Sequence, residues 1–172
     1  MPPSLANRIA VVTGASRGIG AAIAIGLADA GADVAVNDRT RSAEAGAVVG
    51  AVVAAIRALG RRAIAVGADV SDAAAGAANM RQVAAELGPA DILVNNAGIG
   101  PVRTLEEMTE ADFDQTIAVN LRSTFLRTQA VLPAMRARGW GRIVNISSGA
   151  ARRVGRAGLA CTTMAPRPGW RG

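Results

Sequence analysis

Thr13-Gly14-Ala15-Ser16-Arg17-Gly18-Ile19-Gly20 is the stretch whose reading decides the fold. It follows the apolar run Ile9-Ala10-Val11-Val12 and opens the run Ala21 to Ala28, so it stands where a buried strand turns into a helix. Glycines at 14, 18 and 20 permit a tight turn, and no Cβ blocks backbone N–H groups from a pyrophosphate. The third also lets the helix pack close on its strand. A helix start adds unpaired N–H donors and a partial positive charge, which suits phosphate. The loop is therefore expected to cradle a dinucleotide, with a plain structural turn as the alternative.

The remaining punctuation extends this pattern. Gly31 and Gly60 close helical stretches over 18–30 and 42–59, and strands are expected over 8–13, 32–37, 62–68, 91–94 and 141–148. Strands alternating with helices give an α/β fold, a doubly wound parallel sheet of about five strands with helices on both faces. Residues 1–160 form one dinucleotide-binding domain, and 161–172, with two prolines in three residues, do not read as a helix. Asp38 follows the second strand, where a carboxylate accepts from the ribose of NAD and repels the extra phosphate of NADP. Ser71-Asp72 reads as a helix cap, and the tract Ala73 to Ala78 after it offers little for packing.

Thr109 to Asp112 opens a further helix, expected to run to about Arg138. Its Phe113, Ile117, Leu121, Phe125 and Val131 recur at helical spacing and are expected in the core or at a subunit contact. Asn120 lies inside that apolar frame, where an amide is costly unless bonded.

Composition narrows the classes. The chain of 172 residues is 51% apolar, which excludes a disordered chain, and no run is long and apolar enough to span a membrane. The start Met1-Pro2-Pro3-Ser4 has neither a charged nor an apolar leader segment, and Cys161 has no partner for a disulfide; both point to the cytoplasm. The net charge of +6 comes from arginines, and with no Tyr, two Trp and two Phe the chain has few side chains on which bases could stack, so nucleic-acid binding is not expected. No metal site is expected either. Tyr, His and Lys are all missing, which removes three usual proton-transfer side chains.

The pattern TGxxxGxG at 13–20, with Asn95-Asn96-Ala97-Gly98 after the fourth strand and Ser147-Ser148 after the fifth, resembles the short-chain dehydrogenase/reductase family, nearest in style to 3-oxoacyl-carrier-protein reductases. The resemblance runs from about Arg8 to about Ala160. It implies hydride transfer between NAD(P)(H) and a carbonyl or alcohol substrate, and homo-oligomers in the family, much of whose usual dimer face this chain is expected to lack. By resemblance, Asp69 accepts from the adenine amino group, Val70 packs on the ring, and Asn96, Ala97 and Gly98 border the ribose and nicotinamide. Arg39 stands where NADP-dependent relatives place a cation, and Arg17 could join it; against Asp38, the balance leans slightly to NAD. Asn120 matches the asparagine that holds a relay water and bends its helix, and Ser148 the serine that donates to the substrate oxygen.

The resemblance then breaks. The family's tyrosine and lysine fall on Cys161 and Ala165, neither of which can replace them. Read from the third base of the Thr162 codon, with synonymous codons free, the tail spells Tyr, one variable residue, then Gly-Ser-Lys-Ala-Gly-Leu-Glu-Gly. A frameshift near 158–162 followed by early termination is the expectation, with the chain stopping short of a usual member. Weak or absent cofactor binding and near-background turnover follow. A non-catalytic dinucleotide-binding or regulatory protein is the alternative; a cysteine enzyme built on Cys161 would lack a histidine base.

Overall fold

The apolar runs do pair as strands. The computed structural model describes residues 4–39, 43–101, 104 and 106–147. Five strands, β1 (Ile9–Thr13), β2 (Asp33–Asp38), β3 (Ala63–Gly67), β4 (Ile92–Asn95) and β5 (Arg142–Asn145), form one sheet in the order β3-β2-β1-β4-β5. Every pairing is parallel, with Val11 opposite Ala35 and Leu93 in the middle of the sheet. Between the strands run α1 (Gly18–Asp29), α2 (Ala43–Ala58), α3 (Ala73–Glu86), α4 (Glu110–Ile117) and α5 (Ser123–Ala137).

Strand side chains alternate between two cores, as a period of two requires. Ala10, Val12, Val34 and Val36 meet α1 and α2 on one face, while Ile9, Val11, Ala35 and Leu93 meet α3 and α5 on the other. The sheet is thus wound on both sides. Helix ends follow the expected punctuation: Gly31 and Gly60 take positive φ of 104° and 75°, and Asp72 caps α3 by accepting from the amides of Ala74 and Ala75.

The expected long helix over 109–138 is corrected in two respects. It is divided by a π-helical turn, Ala118–Arg122, between α4 and α5. The buried stripe is Thr116, Val119, Ser123, Arg127, Val131 and Met135, so of the predicted apolar frame Val131 is inside. Phe113, Leu121 and Phe125 are 42%, 63% and 62% exposed, so of the two expected placements, core or subunit contact, they do not take the core. The segment carries apolar residues on more than one side, and one wide turn shifts the face that meets the sheet.

The N-terminal ends of the strands are tied together by charge. Asp33 accepts from the Arg61 guanidinium at 2.8 Å, from Arg62 Nε at 2.7 Å and from the Arg62 amide at 3.0 Å. Burial opposes its ionisation, but the Arg62 hydrogen bonds and the charges of Arg61 and Arg62 outweigh it and hold the carboxyl below its ordinary range. A depressed folded value contributes stability above the unfolded value of about 3.9 and loses it as pH falls through the folded one. Asp33→Asn is expected to lower stability at neutral pH and to flatten the acid limb below pH ~4, read from urea midpoints across pH.

Two late arginines belong to a neighbouring cluster. Arg138 donates to Ala90 O at 2.8 Å and Asp91 Oδ1 at 3.2 Å, and Trp140 lies between Arg8 and Arg142, whose guanidinium carbons are 3.7 and 4.9 Å from its ring centre. At the opposite edge of the sheet from β3, β5 pairs with β4 alone among the described strands, leaving Val144 45% and Ile146 39% exposed. Both are apolar side chains at an edge strand, where backbone groups are also open to pairing. Among the described residues no helix is long and apolar enough to cross a membrane.

Candidate functional site

A cleft of about 490 Å³ opens at the C-terminal ends of β1, β2, β3 and β4. In an open α/β sheet that is where ligands bind, at the point where strand order reverses, here between β1 and β4. Gly14, Ser16, Arg17, Asp38, Arg39, Asp69, Val70, Asn96, Ala97 and Gly98, all expected to bind cofactor, line it together.

The remaining predicted glycines shape the cleft without lining it. Gly14 and Gly18 adopt positive φ of 61° and 57°. A Cβ on Gly14 would stand 2.9 Å from Ala97 Cα, and one on Gly20 would lie 2.3 Å from the Gly14 carbonyl oxygen and 2.5 Å from Asn96 Nδ2. Gly20 therefore serves the close approach of α1 to the β1 and β4 ends. Ile19 is an exposed side chain outside the lining; of this residue only the backbone stands at the helix start.

The first turn of α1 differs from those of α3 and α4. Asp72 caps α3, and Thr109 with Asp112 forms a reciprocal box on α4. Arg17, at the same position before α1, makes no side-chain cap bond. The positive end of α1 is left with donors facing the glycine loop, the chemistry an anionic diphosphate fits.

Two residues that the sequence did not single out hold this region. Thr13 is 3% exposed; its Oγ1 accepts from the amides of Asn96 at 2.9 Å and Ala97 at 3.0 Å and donates to Val94 O at 3.3 Å. Asn96 returns the tie, its Nδ2 donating to Thr13 O at 2.9 Å and Gly14 O at 3.0 Å. Asn37, buried at the end of β2, donates through Nδ2 to Val66 O at 2.9 Å, while its Oδ1 has no hydrogen-bond partner among the described residues and Asn37 lines the cleft. Its proximity to Asp38 was the available signal.

At the adenine end, Asp69 Oδ1 accepts from the amide and hydroxyl of Ser71 at 2.9 and 2.6 Å, and Asp69 Oδ2 stands 3.9 Å from Arg39 Nη1. Asp38 Oδ1 accepts from the Arg39 amide at 2.5 Å, turning that carboxylate onto its own turn. Asn120 pins the segment beyond Gly98: its Oδ1 accepts from Ile99 N and its Nδ2 donates to Ile99 O, both at 2.8 Å. It lies in the π-helical turn, where a local bend was expected, and its amide is bonded to backbone. Ser148, Cys161 and Ala165 lie outside the described residues. Among those described, no group of three or more His, Cys, Asp or Glu could hold a metal.

Comparison with known proteins agrees with this geometry. The family model for short chain dehydrogenase matches residues 8–161. The chain is 44% identical over 144 residues to nodulation protein G of Azospirillum brasilense, covering 84% of this chain and 57% of that protein. It is 41% identical over 144 residues to D-beta-hydroxybutyrate dehydrogenase of Cupriavidus necator, covering 84% and 54%. A short chain dehydrogenase of Burkholderia cenocepacia, solved in complex with NADP, superimposes with a TM-score of 0.80 at 47% identity, over 90% of this chain and 61% of that one. The chain thus spans little more than half the length of the two relatives and about three fifths of the solved chain.

Proposed function

Because this chain belongs to the short-chain dehydrogenase family, we propose that its cleft binds NADP(H) or NAD(H) for hydride exchange with a carbonyl or alcohol substrate. The observation that carries this is the uncapped start of α1 behind the glycine loop, which leaves N–H donors for a diphosphate where α3 and α4 spend theirs on their own caps. Gly14 and Ser16 to Gly20 would hold the diphosphate, Asp69 and Val70 the adenine, and Asn96 to Gly98 the nicotinamide half. Asn120 would keep the Gly98–Ile99 backbone in place and bear on a relay water. A bound nicotinamide supplies the hydride acceptor or donor; the protein's part in this chain is to position it and exclude water.

Proton transfer is a separate matter. These 172 residues contain no Tyr and no His, and the places matched to the family's tyrosine and lysine hold Cys161 and Ala165. Ser148 can donate to a substrate oxygen but cannot cycle a proton alone. We therefore assign this chain weak dinucleotide binding with turnover near background. Titration with NADPH and NADH, followed by a carbonyl-reduction assay on the same preparation, tests it: saturable fluorescence with no turnover is expected, and rates like an intact relative's would refute the inactivity.

For the second phosphate, the balance moves toward NADP. Asp38 is engaged with the Arg39 amide, Arg17 and Arg39 both line the cleft, and the Burkholderia neighbour carries NADP. Arg39→Ala should weaken NADP about tenfold, the worth of one charge-assisted bond, and leave NAD unchanged in parallel titrations. A second reading, a non-catalytic binding protein using the open β5 edge, is favoured by the coexistence of a formed cleft with exposed Val144 and Ile146. Such a protein would stay monodisperse and gain heat resistance from the dinucleotide, whereas an incomplete enzyme would aggregate through that edge.

A further inference from the structure

Behind Val70 lies a second cavity, of about 160 Å³, between α3 and α5. Val70 also lines the dinucleotide cleft, so the two spaces adjoin at this residue. The inner wall is Arg127, 3% exposed. It enters the Ala/Gly tract of α3 because residue 76 is glycine: a Cβ there would lie 2.1 Å from Arg127 Nη1.

This guanidinium is only partly satisfied. Nε and Nη2 of Arg127 have no hydrogen-bond partner among the described residues. Those two nitrogens present their N–H groups along one edge of the planar group, the fork that a carboxylate bridges with two parallel bonds. Leaving both donors unmet at that depth is costly. The nearby carboxylates are engaged elsewhere: Asp72 Oδ1 accepts from the amides of Ala74 and Ala75, and Asp69 from Ser71. Burial disfavours the arginine's charge, and Asp72 and Asp69 favour it through space. The rim residues Asp72, Ala73, Ala77 and Ala130 are exposed, so a small solute can enter.

We propose that this cavity binds a small monocarboxylate of formate or acetate size, held by the Nε–Nη2 edge of Arg127. The buried Arg127 guanidinium favours one negative charge. Asp72 at the rim disfavours a second, which selects against dicarboxylates and phosphate. Ala73, Gly76, Ala77 and Ala130 carry no side chain larger than a methyl group, and the cavity of about 160 Å³ has room for a short carboxylate.

The test follows the arginine Nε–H resonances of the 172-residue chain by 1H–15N spectroscopy during an acetate titration at constant ionic strength. One resonance should move saturably, vanish from the spectrum of Arg127→Met, and respond unchanged in Arg17→Ala, which removes a cation of the glycine loop. Ala130→Leu keeps the guanidinium but narrows the cavity, and should weaken the response about tenfold or more. A titration without a saturating Nε–H shift would overturn the proposal, as would a shift that survives in Arg127→Met. Should Arg127→Met not fold, an acetate response untouched by Ala130→Leu overturns it equally.

Discussion

Gly20→Ala is expected to abolish measurable dinucleotide binding and to destabilise the fold, although it adds one methyl group. The added carbon would stand 2.3 Å from the Gly14 carbonyl oxygen and 3.0 Å from Ala15 Cα, both in the backbone of the loop that borders the cleft. Neither can rotate away, so α1 must withdraw from the ends of β1 and β4. Overpacking costs about 1–3 kcal/mol in ordinary cores, and a backbone collision belongs at the upper end. The same movement carries the first-turn amides of α1 away from the phosphates. Gly26→Ala supplies the control, because a Cβ there meets nothing within 4 Å and the residue lies in the same helix. It should stabilise by about 0.5–1 kcal/mol through helix propensity and leave affinity intact. Urea unfolding and NADPH titration of the two variants give opposite signs if the close approach is the cause; two equal losses would put the effect down to helix composition.

The second large effect is expected at Thr13→Val, which keeps shape and volume while removing one oxygen. That oxygen accepts two amides, Asn96 N and Ala97 N, so the substitution strands both beneath the turn that borders the cleft. An unsatisfied buried donor costs about 1–3 kcal/mol, and the partial burial of this pair sets a loss of about 2–4 kcal/mol. Thr13→Ser keeps the acceptor and should recover most of it. Affinity for the dinucleotide should fall with stability in the valine variant, because the reciprocal tie between Thr13 and the Asn96 to Gly98 turn is then reduced to the bonds of the Asn96 side chain. A valine variant with wild-type midpoint would show that water reaches these amides and that the hydroxyl is dispensable.

These expectations separate what local patterning carries from what it does not. The strand–glycine loop–helix unit at 9–29, the parallel pairing, the glycine helix stops and most of the cleft lining were legible in residue order. Each depends on contacts a few residues apart or on a backbone freedom that only glycine has. Thr13 was not legible as a linchpin, since its partners lie 83 and 84 residues away and a threonine ending a strand carries no mark of them. Nor was the orphaned Asn37 oxygen, which is defined by what β3 brings beside it.

The sharpest contrast is in α4 and α5. Phe113, Leu121 and Phe125 have the spacing of a buried stripe and lie on the outside, whereas Thr116, Ser123 and Arg127 face inward. Sequence by itself determined that this segment is helical and that the chain winds a parallel sheet around a phosphate-suited loop, because propensity, punctuation and strand alternation act locally. Only the tertiary structure decided which helix face is buried and that the small-residue tract of α3 receives an arginine. The reason is steric: a helix with apolar groups on several sides takes its orientation from the surface it meets, and Gly76 leaves on that surface a space the size of a guanidinium.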